Sequence, residues 1–474
     1  MEQKREKSLI TNTFVLSLGQ FFPQIAAIIT LPIYTGFLTQ AEYGRYDLVN
    51  VVVYILNVVV ILQIHQAVFR FLIDVRGTEK AKTYITNTVI FEIFPSTIAA
   101  IIFALSYRSL PAFTEVLLGL YLFFNLQFNV TGQIARGLGE NSVYAIGAIA
   151  HSLSNLILVV ILVSRIQLGF NGLFIALDGS LLIGTAIQII ACKQWKKIDL
   201  STLDKKVLKE MIDYSWPMVP NTLSIWIVNT CDKFIIRFFL GLEFNGIFAA
   251  AQKIPNIFTM AYSTFNLAWQ ESASITVKDI DYNRYYNEVF SALFDFLTGC
   301  MLLLIAVSPV LFKILIRGDY ELAYDQMPLL YIGVFLSCIS SFFGSIYIAK
   351  KATKAVGISS AIGAVINAVV NLSMVRWAGL YAASVSTIVS YLTLVIYRIR
   401  DVEKKGFVHI DYKKGHILIC ISLIVLCSIL CYLKVEILNW INLCIGIIGF
   451  FTLNHKLLKL VLDGVMKEMK GNRK

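Results

Sequence analysis

The chain has 474 residues, of which 57% are apolar and only 15% charged, and its mean hydropathy is +0.71. A water-soluble domain carries about 25% charged residues, so this composition excludes one and marks an integral membrane protein of the all-α kind. The net charge of +11 would suit a nucleic-acid binder, but the basic residues concentrate in alternate loops, the bias of membrane proteins, and no nucleic-acid partner is expected.

Fourteen apolar stretches have the length of roughly 20 residues that crosses a bilayer as a helix. They run over about 11–37, 45–71, 83–105, 112–134, 142–163, 169–190, 214–239, 244–268, 287–314, 325–348, 356–375, 379–398, 415–433 and 438–456. The first run is too long for a cleavable signal and has no small-residue cleavage site behind it. Basic residues cluster before the first span, at Arg76, Lys80 and Lys82, at Arg136, and in the segments 193–209, 398–414 and 456–474. By the positive-inside rule these sides are cytoplasmic, which places both termini inside.

The spans fall into two sets. EYGRY at 42–46 follows the first span and EFNGIF at 243–248 follows the seventh, while GLFIAL at 172–177 is echoed by GLYAAS at 379–384. Six spans separate the members of each pair, so the halves share one orientation, as parallel repeats do. The expected layout is an N-terminal lobe (1–192), a basic cytoplasmic linker (193–213), a C-terminal lobe (214–400), and two extra spans with a basic tail (401–474). In the linker, Leu200, Leu203, Val207 and Leu208 beside six lysines suit a helix lying on the membrane surface.

Polar groups at membrane depth are costly and mark candidate sites. In the first span Thr13, Ser17, Gln20 and Gln24 fall on one helical face, either lining a cavity or bonding neighbouring helices. The seventh span repeats the pattern with Thr222, Trp226, Asn229, Lys233 and Arg237, and Asp232 sits beside that face. Lys233 and Arg237 either meet a ligand or snorkel to the interface. Lys253 lies nine residues into the eighth span, about 14 Å deep at 1.5 Å per residue, and needs an anion there. Glu92, Asp178 or Asp295 could supply it, or the three could serve proton or ion coupling. Arg70 closes the second span after His65 and Gln66, as a phosphate-binding fork or a positive-inside anchor.

Other chemistries are absent. The sequence holds no GxxxxGK[ST] loop, no HExxH, no GxSxG and no dinucleotide fingerprint, so no ATPase or other enzyme activity is expected. The eight cysteines all follow residue 191, with no CxxC pair and no His/Cys cluster, so no disulfide framework, bound metal or cofactor is expected.

Several patches resemble the Wzx-like bacterial polysaccharide flippases of the multidrug, oligosaccharidyl-lipid and polysaccharide exporter superfamily. They are LPIYTGFLTQAEYGRYDLV (31–49), AVFRF (67–71), RGLGENSVYA (136–145), SWPMVPNTLSIWIVNTCDKFII (215–236), GIFAAAQKI (246–254) and NLAWQE (266–271). The resemblance implies translocation of an undecaprenyl-diphosphate-linked oligosaccharide across the bacterial cytoplasmic membrane, for capsule, O-antigen or exopolysaccharide assembly. It implies alternating access around a cationic central cavity, H+ or Na+ coupling, and a polysaccharide polymerase and chain-length machinery as partners. Onto this chain it carries Arg70, Asp232, Lys233, Lys253, Trp269 and Glu271. Glu92, Asp178 and Asp295 lie outside the resembling patches.

Rival readings are a cation-coupled drug or metabolite antiporter of the same superfamily and a teichoic-acid or peptidoglycan precursor flippase. A membrane glycosyltransferase or polymerase would need a sizeable loop bearing carboxylates, and the longest connection here is short and lysine-rich.

Overall fold

The computed structural model describes residues 22–411 and 414–471, and helices are the only regular elements among them. In chain order they are α1 (Phe22–Phe37), α2 (Gln40–Val60), α3 (Ile64–Asp74), α4 (Lys80–Ser106), α5 (Ala112–Gly137), α6 (Asn141–Val159) and α7 (Gly169–Ala191). Then follow α8 (Lys205–Ser215), α9 (Met218–Phe239), α10 (Leu242–Thr276), α11 (Tyr282–Leu315), α12 (Glu321–Ala349), α13 (Thr353–Ala378), α14 (Tyr381–Lys404), α15 (Lys414–Tyr432) and α16 (Glu436–Gly471).

Each expected span coincides with one of these helices, the second being shared by α2 and α3. Eleven helical stretches are long and apolar enough to cross a membrane. The described part of the first span is the shorter apolar α1, and α9 and α10 carry Asp232, Lys233, Arg237 and Lys253, which dilute their apolar character. The outward faces are what lipid requires: Ile98, Ile101, Ile102 and Leu105 on α4, and Leu418, Ile419 and Val425 on α15, are exposed.

The chain divides into two compact units, residues 1–231 and 232–474. In the first, α7 packs on α5 and α6, and α5 on α3 and α4. The α6–α7 contact is close because it is built on small residues: a Cβ at Gly184 would lie 3.0 Å from the Gly147 carbonyl oxygen. At the head of α2, Thr39 and Glu42 close a reciprocal cap, with Glu42 N–H donating to Thr39 Oγ1 at 3.2 Å and Thr39 N–H to Glu42 Oε2 at 2.9 Å.

The second expected span is broken in the middle. α2 stops at Val60 and α3 starts at Ile64, with Leu62 and Gln63 in the left-handed region at φ 46° and 59°. Two side-chain-bearing residues in that region cost about 1–2 kcal/mol each. Such a break is tolerated at membrane depth only where protein or water satisfies the freed backbone, and Gln63 is buried.

The basic linker departs from a continuous surface helix. Asp199 accepts from Ser201 N–H at 3.0 Å and Asp204 from Lys206 N–H at 2.8 Å, and each bond holds the local backbone in a turn. The α-helix therefore begins only at Lys205, after two short 3-10 turns at Gln194–Lys197 and Leu200–Thr202, and Leu200 and Leu203 are exposed. The same Ser201 bonds hold the Asp199 carboxyl below its ordinary value. α8 then packs on α3 and α4, and Asp199 N–H donates to Thr86 Oγ1 at 3.0 Å, so the linker is tied to the first unit.

In the second unit α14 packs on α12 and α13, the pairing that α7 makes with α5 and α6 in the first. α10 packs on α12, and α11 on α12, α15 and α16. Four polar contacts fix the added helices: Tyr324 Oη donates to the Cys431 carbonyl at 3.1 Å and Tyr432 Oη to the Asp325 carbonyl at 2.6 Å. Lys434 pairs with Asp325 at 2.9 Å, and His416 meets Asp295 at 2.6 Å.

Candidate functional site

The most developed polar site of the second unit surrounds Asp232, late on α9. The carboxylate is 8% exposed, and Asn371 on α13 donates to Oδ1 at 2.7 Å. Thr387 on α14, whose hydroxyl donates to the Ala383 carbonyl at 2.9 Å, lies 3.4 Å from Oδ2. Asn367 stands one turn before Asn371 on the same face of α13 and reaches Ser386 on α14. α13 and α14 come this close because Ser390 Oγ donates to the Gly363 carbonyl at 2.6 Å, with no side chain at 363 to intervene.

Asn371 Oδ1 is buried with no hydrogen-bond partner. It is the Asn371 amide nitrogen that meets Asp232, so the carboxylate is held between an amide N–H and the Thr387 hydroxyl. Carboxylate oxygens suit hard cations such as Na+, and a carboxylate there can equally take a proton.

The cations of the same unit line up beside this centre in sequence. Lys233 is half-buried on α9, and Arg237 is exposed one turn later. Lys253 is half-buried on α10, two residues before Pro255. Pro255 has no N–H, so the Ala251 carbonyl has no helical donor, and α10 is locally loosened where Lys253 sits.

Trp269 is placed in the core instead. It is 3% exposed, stacks on Phe342 at 4.5 Å and donates Nε1–H to the Phe342 carbonyl at 3.2 Å. Glu271 is exposed at the far end of α10. Asp295 pairs with His416. Arg398, counted from sequence among loop cations, is buried: it donates to the Ser340 carbonyl at 2.8 Å and to the Ser359 and Ser360 hydroxyls at 3.0 Å each.

In the first unit Arg70 is exposed and forms a 2.7 Å ion pair with Asp74 one turn on. Gln24 is half-buried on α1, whereas Thr13, Ser17, Gln20 and the side chains of Trp226 and Asn229 lie outside the described residues. Glu92 is fully buried; Ser96 Oγ and Gln127 Nε2 both donate to its Oε1, at 2.7 and 2.6 Å. Asp178 on α7 is 6% exposed, and neither of its carboxyl oxygens has a hydrogen-bond partner. An uncompensated charge at that depth costs several kcal/mol. Asp178 is therefore the first unit's candidate for taking up a proton or small cation.

The structure also brings in residues that the sequence did not single out. Asn57 donates to Asn125 Oδ1 at 2.8 Å, and Asn129 donates to the same oxygen at 3.2 Å. They form a carboxamide cluster between α2 and α5, while Gln127 turns to Glu92 on α4. The signal was present in Asn125, Gln127 and Asn129 standing inside an apolar run.

Both units bury carboxylates within apolar helices, Glu92 and Asp178 in the first and Asp232 in the second, and the second adds the half-buried Lys233 and Lys253. The chain belongs to the family described as polysaccharide biosynthesis protein, which matches residues 9–269. No curated protein matches it in sequence. Among solved structures it is similar to the lipid II flippase MurJ in an inward closed conformation, at 12% identity and TM-score 0.68, covering 95% of this chain and all of that one. It is similar to an inward-facing multidrug resistance MATE transporter of the MOP superfamily, at 13% identity and TM-score 0.61, over 82% of this chain and 98% of that one. A MOP superfamily transporter from Pyrococcus furiosus matches at 13% identity and TM-score 0.55, over 84% and 96%. At such identities the likeness is one of fold. These neighbours are named as a flippase and as transporters.

Proposed function

We propose that this protein flips an undecaprenyl-diphosphate-linked oligosaccharide across a bacterial cytoplasmic membrane, with both termini inside, by alternating access. The observation that carries the reading is the set of cations within the spans, Lys233 and Arg237 on α9 and Lys253 on α10. A diphosphate head group needs positive charge where the dielectric is low, since there a charge pair is worth far more than in water. The lipid tail can stay in the bilayer, so only the head group requires a polar path. Family membership and the flippase fold support a lipid-linked substrate.

Energy would enter through the Asp232 carboxylate, which Asn371 and Thr387 hold. A Na+ ion or proton bound there cancels the Asp232 charge and changes how α9 packs on α13 and α14. α9 also bears Lys233 and Arg237, so cation binding and head-group binding act on one helix.

Deleting the gene tests the reading. Undecaprenyl-linked repeat units should accumulate on the inner leaflet while surface polymer disappears. Unchanged polymer with reduced drug efflux would favour the multidrug-transporter alternative. Accumulated peptidoglycan or teichoic-acid precursor would favour the precursor-flippase alternative.

A further inference from the structure

We infer that Asp295, His416 and Cys420 form a binding site for a divalent transition ion of the zinc type, joining α15 to α11. His416 and Cys420 are four residues apart and so share one face of α15. Asp295 meets them from α11. The three ligand atoms lie within 4.8 Å of one another. The sequence shows only a lone His and a lone Cys here, because the carboxylate that completes the set is 121 residues away.

The spacing can be compared with what a metal needs. Zinc bonds of about 2.3 Å to sulfur and about 2.0–2.1 Å to nitrogen, at a tetrahedral angle, put the two ligand atoms about 3.5 Å apart. Cys420 Sγ and His416 Nε2 are 3.7 Å apart. The same arithmetic asks for about 3.4 Å between the His nitrogen and the Asp oxygen. They are 2.6 Å apart, the distance of a hydrogen bond through one shared proton. Replacing that proton by an ion requires the two side chains to part by less than 1 Å, and both ends are free to move: His416 is 38% and Asp295 26% exposed.

The donor set selects the ion. One sulfur, one imidazole nitrogen and one carboxylate oxygen suit zinc and its neighbours and are wrong for Mg2+ or Na+. This separates the site from the Asp232 carboxylate, whose neighbours Asn371 and Thr387 offer neither sulfur nor imidazole. Three protein ligands leave one position for water or Thr298, which is one turn on from Asp295, fully buried and beside the Cys420 thiol. The cysteine is buried and in no disulfide. The partly exposed imidazole near the head of α15 gives an ion its way in. Binding would clamp the added helical pair to the second unit at the end opposite the Lys434–Asp325 contact.

The test uses the full chain purified in detergent, reduced, stripped with chelator and titrated with Co2+. One equivalent should bind with the absorption of a thiolate–cobalt bond, and Zn2+ but not Mg2+ should displace it. Cys420→Ser should abolish the thiolate band, Cys444→Ser at the exposed cysteine should leave it intact, and His416→Gln should weaken binding at least ~10-fold. Should Cys420→Ser not fold, Zn2+ should slow alkylation of Cys420 in the unmodified chain. No thiolate band, a band that survives Cys420→Ser, displacement by Mg2+, or alkylation indifferent to Zn2+ would each overturn the inference.

Discussion

Asp232→Asn removes one negative charge while preserving the size of the side chain. The 2.7 Å bond from Asn371 can still be accepted by an amide oxygen. A hydrogen bond to a charged group is worth about 1.5–3 kcal/mol and a neutral one about 0.5–1.5 kcal/mol, so folding should lose only about 1 kcal/mol. For a unit of this size that lowers Tm by about 2–4 °C. Cation binding loses far more. At ~2.5 Å, a carboxylate and a monovalent ion attract by ~7 kcal/mol at an effective dielectric of ~20, before desolvation is subtracted. If only a fifth survives as net binding, the variant still loses about tenfold in cation affinity. The assay is flipping by purified protein in vesicles under a Na+ or proton gradient, with membrane abundance and Tm measured alongside. Near-normal Tm with flipping at least ~10-fold slower is expected. Wild-type flipping at matched abundance would refute the coupling role, and a collapse in Tm would show that Asp232 holds the helices together instead.

Four further outcomes follow from individual residues. Lys253→Arg should retain flipping and Lys253→Ala lose it at equal abundance; equal activity in both would remove Lys253 from the substrate path. Arg70 and Asp74 form an exposed pair worth about 0.3–0.5 kcal/mol, so Arg70→Ala should leave Tm unchanged, and a fall in flipping would then report a ligand contact. Trp269→Ala should cost about 3–5 kcal/mol, lowering Tm and abundance, while Trp269→Phe keeps the stacking and should flip normally. The Asp325 hydrogen bond raises the Lys434 pKa above its ordinary value. Its contribution is complete below the ordinary lysine value and is lost only as pH rises through the raised one. Lys434→Gln should therefore lower Tm equally at every pH across the neutral range, and a difference that varied there would contradict the pairing.

The spans were legible because each is a long apolar run, and the charges within α9 and α10 stood out for the same reason. What completes a site was not legible. Asn371 and Thr387 are 139 and 155 residues from Asp232, and nothing in their local sequence separates them from polar residues that merely join helices. His416 and Cys420 form no metal motif in the sequence, and it is α11 that brings Asp295 to them. The break at Leu62 and Gln63 has no Gly or Pro to announce it, although both residues lie in the left-handed region. Arg398 looked like a loop cation from its place at a helix end, yet three hydroxyl and carbonyl oxygens take it inside. Trp269, which a resemblance alone suggested, is buried and stacks on Phe342, contacts that its local sequence does not show.

The account rests on movement of a lipid-linked diphosphate sugar, and reconstitution measures that directly. Vesicles carrying the purified chain and an undecaprenyl-diphosphate-linked oligosaccharide on the inner leaflet are probed from outside with a sugar-modifying reagent. The account expects the outside fraction to rise with time in proportion to the protein present, and to stop rising when Lys253 is replaced by Ala. An outside fraction no higher than in protein-free vesicles would contradict it.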